Sequence, residues 1–142
     1  MSGLYETDVL EWSEHQGRLL RQHVAGAQGN EAPDWANIIE EVESVGREQL
    51  HAVEGLLTQA LIHMLKAEAW PLLADAPNWR ADARTFRRQA RRRYTASMRQ
   101  KLDLAGLYDD ALAGLPETMD GQPPLPVPPT CPVSLDELLS QA

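Results

Sequence analysis

Cysteine is almost missing from this chain: Cys131 stands alone among 142 residues, so neither an internal disulfide nor a paired-thiolate zinc site can form. A single phenylalanine leaves leucine, alanine, valine and four tryptophans to build the core. No run approaches the ~18 apolar residues that a membrane-spanning helix needs. The acidic opening, with Trp12 in it, lacks the basic-then-apolar pattern of a targeting signal. These absences lead us to expect a cytoplasmic protein with no membrane role. Catalytic signatures are missing too. The glycines between Gly26 and Gly29 neither follow a strand nor run into a Gly-Lys-Ser/Thr ending, which excludes a phosphate-binding loop. Histidines, serines and Cys131 form no nucleophilic triad, and Cys131, in proline-flanked extended chain, reads as a structural thiol. No cofactor is implied.

Charge is abundant, and unevenly placed. Nine of the thirteen basic residues fall between Arg80 and Lys101, opposed there only by Asp82. The stretch carries +8, which leaves −16 on the remaining 120 residues of a chain whose net charge is −8. Bulk attraction to nucleic acid is therefore excluded, and only the local basic face could supply it. At this length one core is expected, burying roughly two-thirds of the unfolded surface. We divide the chain into a helical domain over 1–119 and a strap with a docking helix over 120–142, within one structural unit.

Helical spacing dominates. Tyr5, Val9, Trp12, Leu19 and Leu20 predict a first helix to about Val24, followed by a connector over Ala25–Pro33. Asp34 is placed to cap a second helix, along which Ile38, Ile39, Val42, Val45, Gln49, Val53, Leu56, Leu57, Ala60 and Met64 share one arc. Unbroken to Ala69, that helix would be about 52 Å long, against the about 35–40 Å expected across a compact domain of this size. It must therefore bend or break, with Gly55 the place for a bend, or the molecule must be elongated, as a monomer or a dimer. Gly46 falls inside the arc, which suits close approach of another helix. Asn78 is placed to cap a third helix from Trp79 to about Lys101, with Trp79, Ala83, Phe86, Ala90, Tyr94 and Ser97 on one face. Arg80, Arg84, Arg87, Arg88 and Arg91 line the adjacent face. A shorter helix over about Leu104–Leu115 ends at Gly114 and Pro116. Six prolines between Asp120 and Pro132 predict an extended strap or a tether. Ser134 and Glu137 then form a capping box, with Val133 able to staple onto Leu138, so the last helix is expected to dock. The fold class is all-α: about four helices with a long second helix as spine, a proline-rich strap and a short capped C-terminal helix.

Particular residues in this order resemble a known family. Tyr5-x-x-Asp8-x-x-x-Trp12, Gly17-Arg18-Leu19-Leu20 and Asp34-Trp35-x-Asn37-Ile38-Ile39-Glu40-Glu41-Val42-Glu43-Ser44-Val45-Gly46 carry the likeness. His63-Met64-Leu65-Lys66, Trp79-Arg80 with Arg87, and Cys131-Pro132-Val133-Ser134-Leu135 complete it. The chain is similar to the bacterial domain-of-unknown-function family 29. That resemblance implies a small all-helical bacterial protein and assigns it no reaction.

Three functions remain in view. The first is a protein-interaction or regulatory module, self-associating as a homodimer, in which Glu40, Glu41 and Glu43 of the second helix and Arg80, Arg84, Arg87, Arg88 and Arg91 of the third set partner choice. The second is a nucleic-acid-binding accessory role for the Arg80–Lys101 helix, with Trp79 or Tyr94 stacking on an unpaired base. Against both stands the plainer reading that these arginines pair with Glu40, Glu41, Glu43 and Glu48, or only with solvent. A metal-dependent hydrolase or nuclease built on Asp8, Glu40, Glu43 and His63 comes third. Glu43 and His63 would lie about 30 Å apart on a continuous helix, so folding back or dimerisation would have to unite them. Trp12 and Trp79 are expected in the core, and Trp35 and Trp70 at half-exposed positions.

Overall fold

The structure is a computed structural model, and it describes residues 3–25 and 33–140. The connector proposed over Ala25–Pro33 lies mostly outside these residues. The chain is all-α, with α1 (Leu4–Thr7), α2 (Val9–Val24), α3 (Trp35–Ala69), α4 (Ala76–Arg93), α5 (Leu104–Ala113) and α6 (Leu135–Leu139). A 3₁₀ turn spans Ala96–Gln100. No helix among the described residues is long and apolar enough to cross a membrane. Two compact units emerge: Met1–His51 with Tyr94–Lys101, and Ala52–Arg93 with Leu102–Ala142. The helix α3 runs its 35 residues without interruption and gives residues to both.

In the first unit the predicted opening helix is two pieces, because Asp8 breaks it. Its extended backbone ends α1, and its carboxylate accepts the Glu11 N–H at 3.1 Å to begin α2. The same carboxylate takes the Ser97 N–H at 2.9 Å and the Ser97 hydroxyl at 2.7 Å, which fastens the 3₁₀ segment to α2. Leu10, Ser13, Ile39 and Met98 are the buried side chains of this unit's helices and 3₁₀ segment. Gly46 is where α2 and α3 nearly touch: an added Cβ would lie 2.1 Å from Ser13 Oγ and 3.0 Å from Leu10 Cα. Tyr5 and Trp12 meet edge to face at 4.8 Å.

The second unit is built on the C-terminal part of α3, where Val53, Leu57, Ala60, Leu61 and Leu65 are buried. A separate cluster joins Ala67, Ala69, Trp70, Ala76 and Trp79, with Leu73, Leu115, Met119 and Val127 packed on it. Trp70 is thus a core residue, 3% exposed, and not the half-exposed ring its place before Pro71 suggested. α4 begins at Ala76 and holds Pro77 in its first turn, where a missing N–H costs nothing, so Asn78 is not its cap. It also ends at Arg93, earlier than its sequence pattern suggested. Tyr94 and Ser97 therefore leave the Trp79 face and belong to the first unit.

The proline-rich segment is a strap. Asp120 and Gly121, both at positive φ, make a tight turn that pairs Met119 with Gln122. The Gln122 carbonyl accepts Trp70 Nε1 at 3.0 Å, Leu125 N–H donates to Ala69 O at 2.9 Å, and Tyr108 donates its hydroxyl to Pro128 O at 2.6 Å. Beyond the strap, Ser134 Oγ accepts the Glu137 N–H at 3.1 Å and opens α6, whose Leu138 and Leu139 are buried.

Candidate functional site: an arginine-lined groove

A helix carries arginines on one face when they recur three and four residues apart, and α4 does so at Arg80, Arg84, Arg87, Arg88 and Arg91. What α4 packs against decides what those cations can do. Beside it, α3 presents Met64 and Ala67, and the chain turns at Pro71. Together with Ala83 these residues give a groove of about 570 Å³ an apolar lining. Its charged lining is Arg80, Arg84 and Arg87 from α4 with Glu68 from α3. Small side chains at Ala67 and Ala83 leave the space between the helices open. A second hollow, about 370 Å³ beside Trp70, Leu72 and Leu125, has no charged residue in its lining.

The arginines are not equivalent. Arg87 donates from Nε to Leu138 O at 3.0 Å and from Nη2 to Glu137 O at 2.8 Å. It therefore ties α4 to last-turn carbonyls of α6, of which Glu137 O also accepts the Ser140 N–H and hydroxyl. Arg91 is also engaged. Arg80, Arg84 and Arg88 are exposed and have no ion-pair partner among the described residues. The stripe divides into positions that hold the fold and positions left open to a ligand.

The carboxylates proposed alongside them have other employment. Glu43 receives both Arg21 guanidinium nitrogens, at 2.6 and 2.7 Å, and this hydrogen-bonded pairing holds its carboxyl below the usual range. Gly17 makes room for that side chain, since a Cβ there would sit 2.7 Å from Glu43 Cγ. Glu40 pairs with Arg47. Glu41 and Glu48 are exposed and have no ion pair among the described residues.

The residues considered for a metal are likewise occupied. Burial raises the Asp8 pKa, but the Glu11 N–H, the Ser97 hydroxyl and N–H, and the Thr95 hydroxyl outweigh it, so its carboxyl lies below the ordinary value. His63 Nδ1 donates to Gln59 O at 2.8 Å, its Nε2 lies 3.9 Å from Asp82, and its ring leans on Phe86 at 5.3 Å. Among the described residues no group of three histidine, cysteine or acidic side chains is placed to hold an ion. Asp8, Glu40, Glu43 and His63 are thus not gathered into such a group. The stacking residues suggested for nucleic acid are absent from the groove: Trp79 is buried in the core and Tyr94 lies beyond the end of α4.

An all-helical protein with a partly apolar, cation-lined groove is the class these features define. The chain belongs to the family described as domain of unknown function DUF29, whose profile matches residues 4–142. A crystal structure of an alpha-helical protein of unknown function from Rhodospirillum rubrum ATCC 11170 has the same fold. The TM-score is 0.80 at 23% identity, over 99% of this chain and 92% of that one. No curated protein matches the chain.

Proposed function

We propose that this protein is an interaction module that binds an acidic segment of a protein through the α3–α4 groove of its second unit. One observation carries the reading: Arg80 and Arg84, a helical turn apart and unpaired among the described residues, border an apolar channel. Carboxylates set one or two turns apart can meet these cations along the stripe, while an apolar side chain between them enters the space near Met64, Ala67 and Ala83. This is the helix-in-groove mode with charge added for choice of partner. An RNA or DNA strand would use the cations, but would find no exposed ring in the groove lining to stack on.

Fluorescence anisotropy with a labelled peptide alternating glutamate and leucine at helical spacing tests this against a labelled single-stranded RNA. Peptide binding that falls at least tenfold in Arg80→Glu/Arg84→Glu is the expected result. RNA binding of equal or greater strength, lost in the same variant and steeply weakened by salt, would transfer the site to nucleic acid.

A further inference from the structure

The groove needs an occupant with carboxylates and apolar side chains on one helical face, and this chain presents such a face. On α3, Ile38, Glu41, Val45 and Glu48 follow one another at helical spacing and fall within about 80° of arc at 100° per residue. The core face of α3 in the first unit passes instead through Ile39 and Gly46, so these four side chains point elsewhere. Ile38 is 39% and Val45 37% exposed, unusual for large aliphatic side chains that a helix could have turned inward. Glu41 and Glu48 have no ion pair among the described residues, whereas their neighbours Glu40 and Glu43 are taken by Arg47 and Arg21. Unmatched acids with uncovered apolar residues on one surface, and unmatched arginines with an apolar channel on another, are complementary halves of a contact.

We infer that the groove is filled by a second copy of this chain, through the Ile38–Glu41–Val45–Glu48 stripe of the copy's α3. The inference rests on the groove being an acidic-segment site, and it names the segment. Glu41 and Glu48, two helical turns or about 10.5 Å apart, match the two-turn span from Arg80 to Arg88 with Arg84 between, while Ile38 and Val45 lose water against the apolar lining. One such contact is small, below the ~1,200 Å² typical of stable interfaces, so association should be weak and readily reversible. A symmetric pair would make the contact twice.

Sedimentation velocity across concentration tests it, with circular dichroism confirming that each variant folds. The wild-type chain, 15.8 kDa as a monomer, should show a mass that rises with concentration. Glu41→Arg/Glu48→Arg alone and Arg80→Glu/Arg84→Glu alone should each stay monomeric. Mixed in equal amounts they should associate again, because each reversed surface then meets its opposite. Wild-type association that survives both reversals would overturn the inference, as would a wild-type monomer at about 100 µM, a concentration at which even a dissociation constant of about 200 µM would begin to show. The glutamate–leucine peptide distinguishes the choice of occupant from the groove itself. A monomer whose groove still binds the peptide loses only the second copy as occupant, while a monomer that binds neither loses the groove reading as well.

Discussion

Gly46 and Gly55 share a helix, yet glycine serves different ends at the two places. At Gly46 the backbone of α2 passes so close that a methyl group would overlap Ser13 Oγ and press on Leu10. Gly46→Ala should therefore destabilise the protein by about 1–3 kcal/mol, the usual cost of overpacking. At Gly55 nothing lies within 4 Å of where a Cβ would be, and the position is exposed. Gly55→Ala should stabilise by about 0.5–1 kcal/mol, through helix propensity and a less flexible unfolded chain. Urea unfolding of the pair decides this, and midpoints that move the same way would contradict it. Asp8 couples the fold to pH. Its carboxyl, 5% exposed, is held below the ordinary value of 3.8, so ionisation favours the folded state. That stabilisation is complete above the unfolded pKa and is lost as pH falls through the lowered folded value. Asp8→Asn should flatten the acid limb of a stability-against-pH curve below about pH 4, where wild type declines. An unchanged acid limb would mean that the Ser97 and Glu11 contacts do not favour the ionised form.

At the scale of elements, the C-terminal part of the chain is held by a few identifiable anchors. Arg87 reaches two carbonyls at the end of α6, and α6 buries Leu138 and Leu139. Arg87→Ala should cost about 1–2 kcal/mol, because the part-buried Leu138 carbonyl loses its charged donor, whereas the exposed Glu137 carbonyl keeps the Ser140 N–H and hydroxyl. Amide exchange should quicken in α6 before it does in α5. Arg87→Lys should recover little, since a point ammonium cannot reproduce two bonds made by a planar fork. The strap depends more on neutral bonds. Tyr108→Phe removes only the hydroxyl that meets Pro128 O and should cost about 1 kcal/mol, read as a lowered melting temperature with helix content unchanged. The cap that begins α6 was legible beforehand, because Ser134 bonds to an N–H group only three positions on; the Asp103 cap of α5 works the same way and was not singled out in the sequence. The end of α4 was not. The apolar pattern continues past Arg93, and the chain leaves the helix where the Asp8 carboxylate captures Ser97, far away in sequence.

For the whole molecule, charge layout matters more than total charge. Two copies of a chain carrying −8 repel at long range, while the proposed contact sets arginines against glutamates at short range. Ionic strength acts differently on the two. At about 0.01 M the Debye length of about 30 Å leaves the repulsion in force, at about 0.15 M it shrinks to about 8 Å, and at about 1 M even exposed contact pairs are screened. Association of the wild-type chain should accordingly pass through a maximum near physiological salt, as followed by sedimentation. A steady rise with salt would instead indicate an assembly surface that is apolar throughout.

Local rules carried the sequence reading as far as they act. Helical periodicity gave the all-α class, the long α3 and the close approach at Gly46, and the Ser134–Glu137 capping box pointed to a docked α6, because each depends on residues a few positions apart or on one helix face; the prolines left strap and tether both open. The periodic arc of α3 also included Ile38 and Val45 and placed them inward with Ile39 and Val42. Only the packed structure separates them, since periodicity says which residues share a face and not how wide a face the neighbouring helix covers. Composition showed that arginines crowd into one stretch. It could not show that Arg87 is bound to α6 while Arg80 and Arg84 have no partner among the described residues, or that Trp70 is locked to Gln122. Those outcomes turn on which distant backbone carbonyls come within about 3 Å of a donor, and chain folding alone settles that.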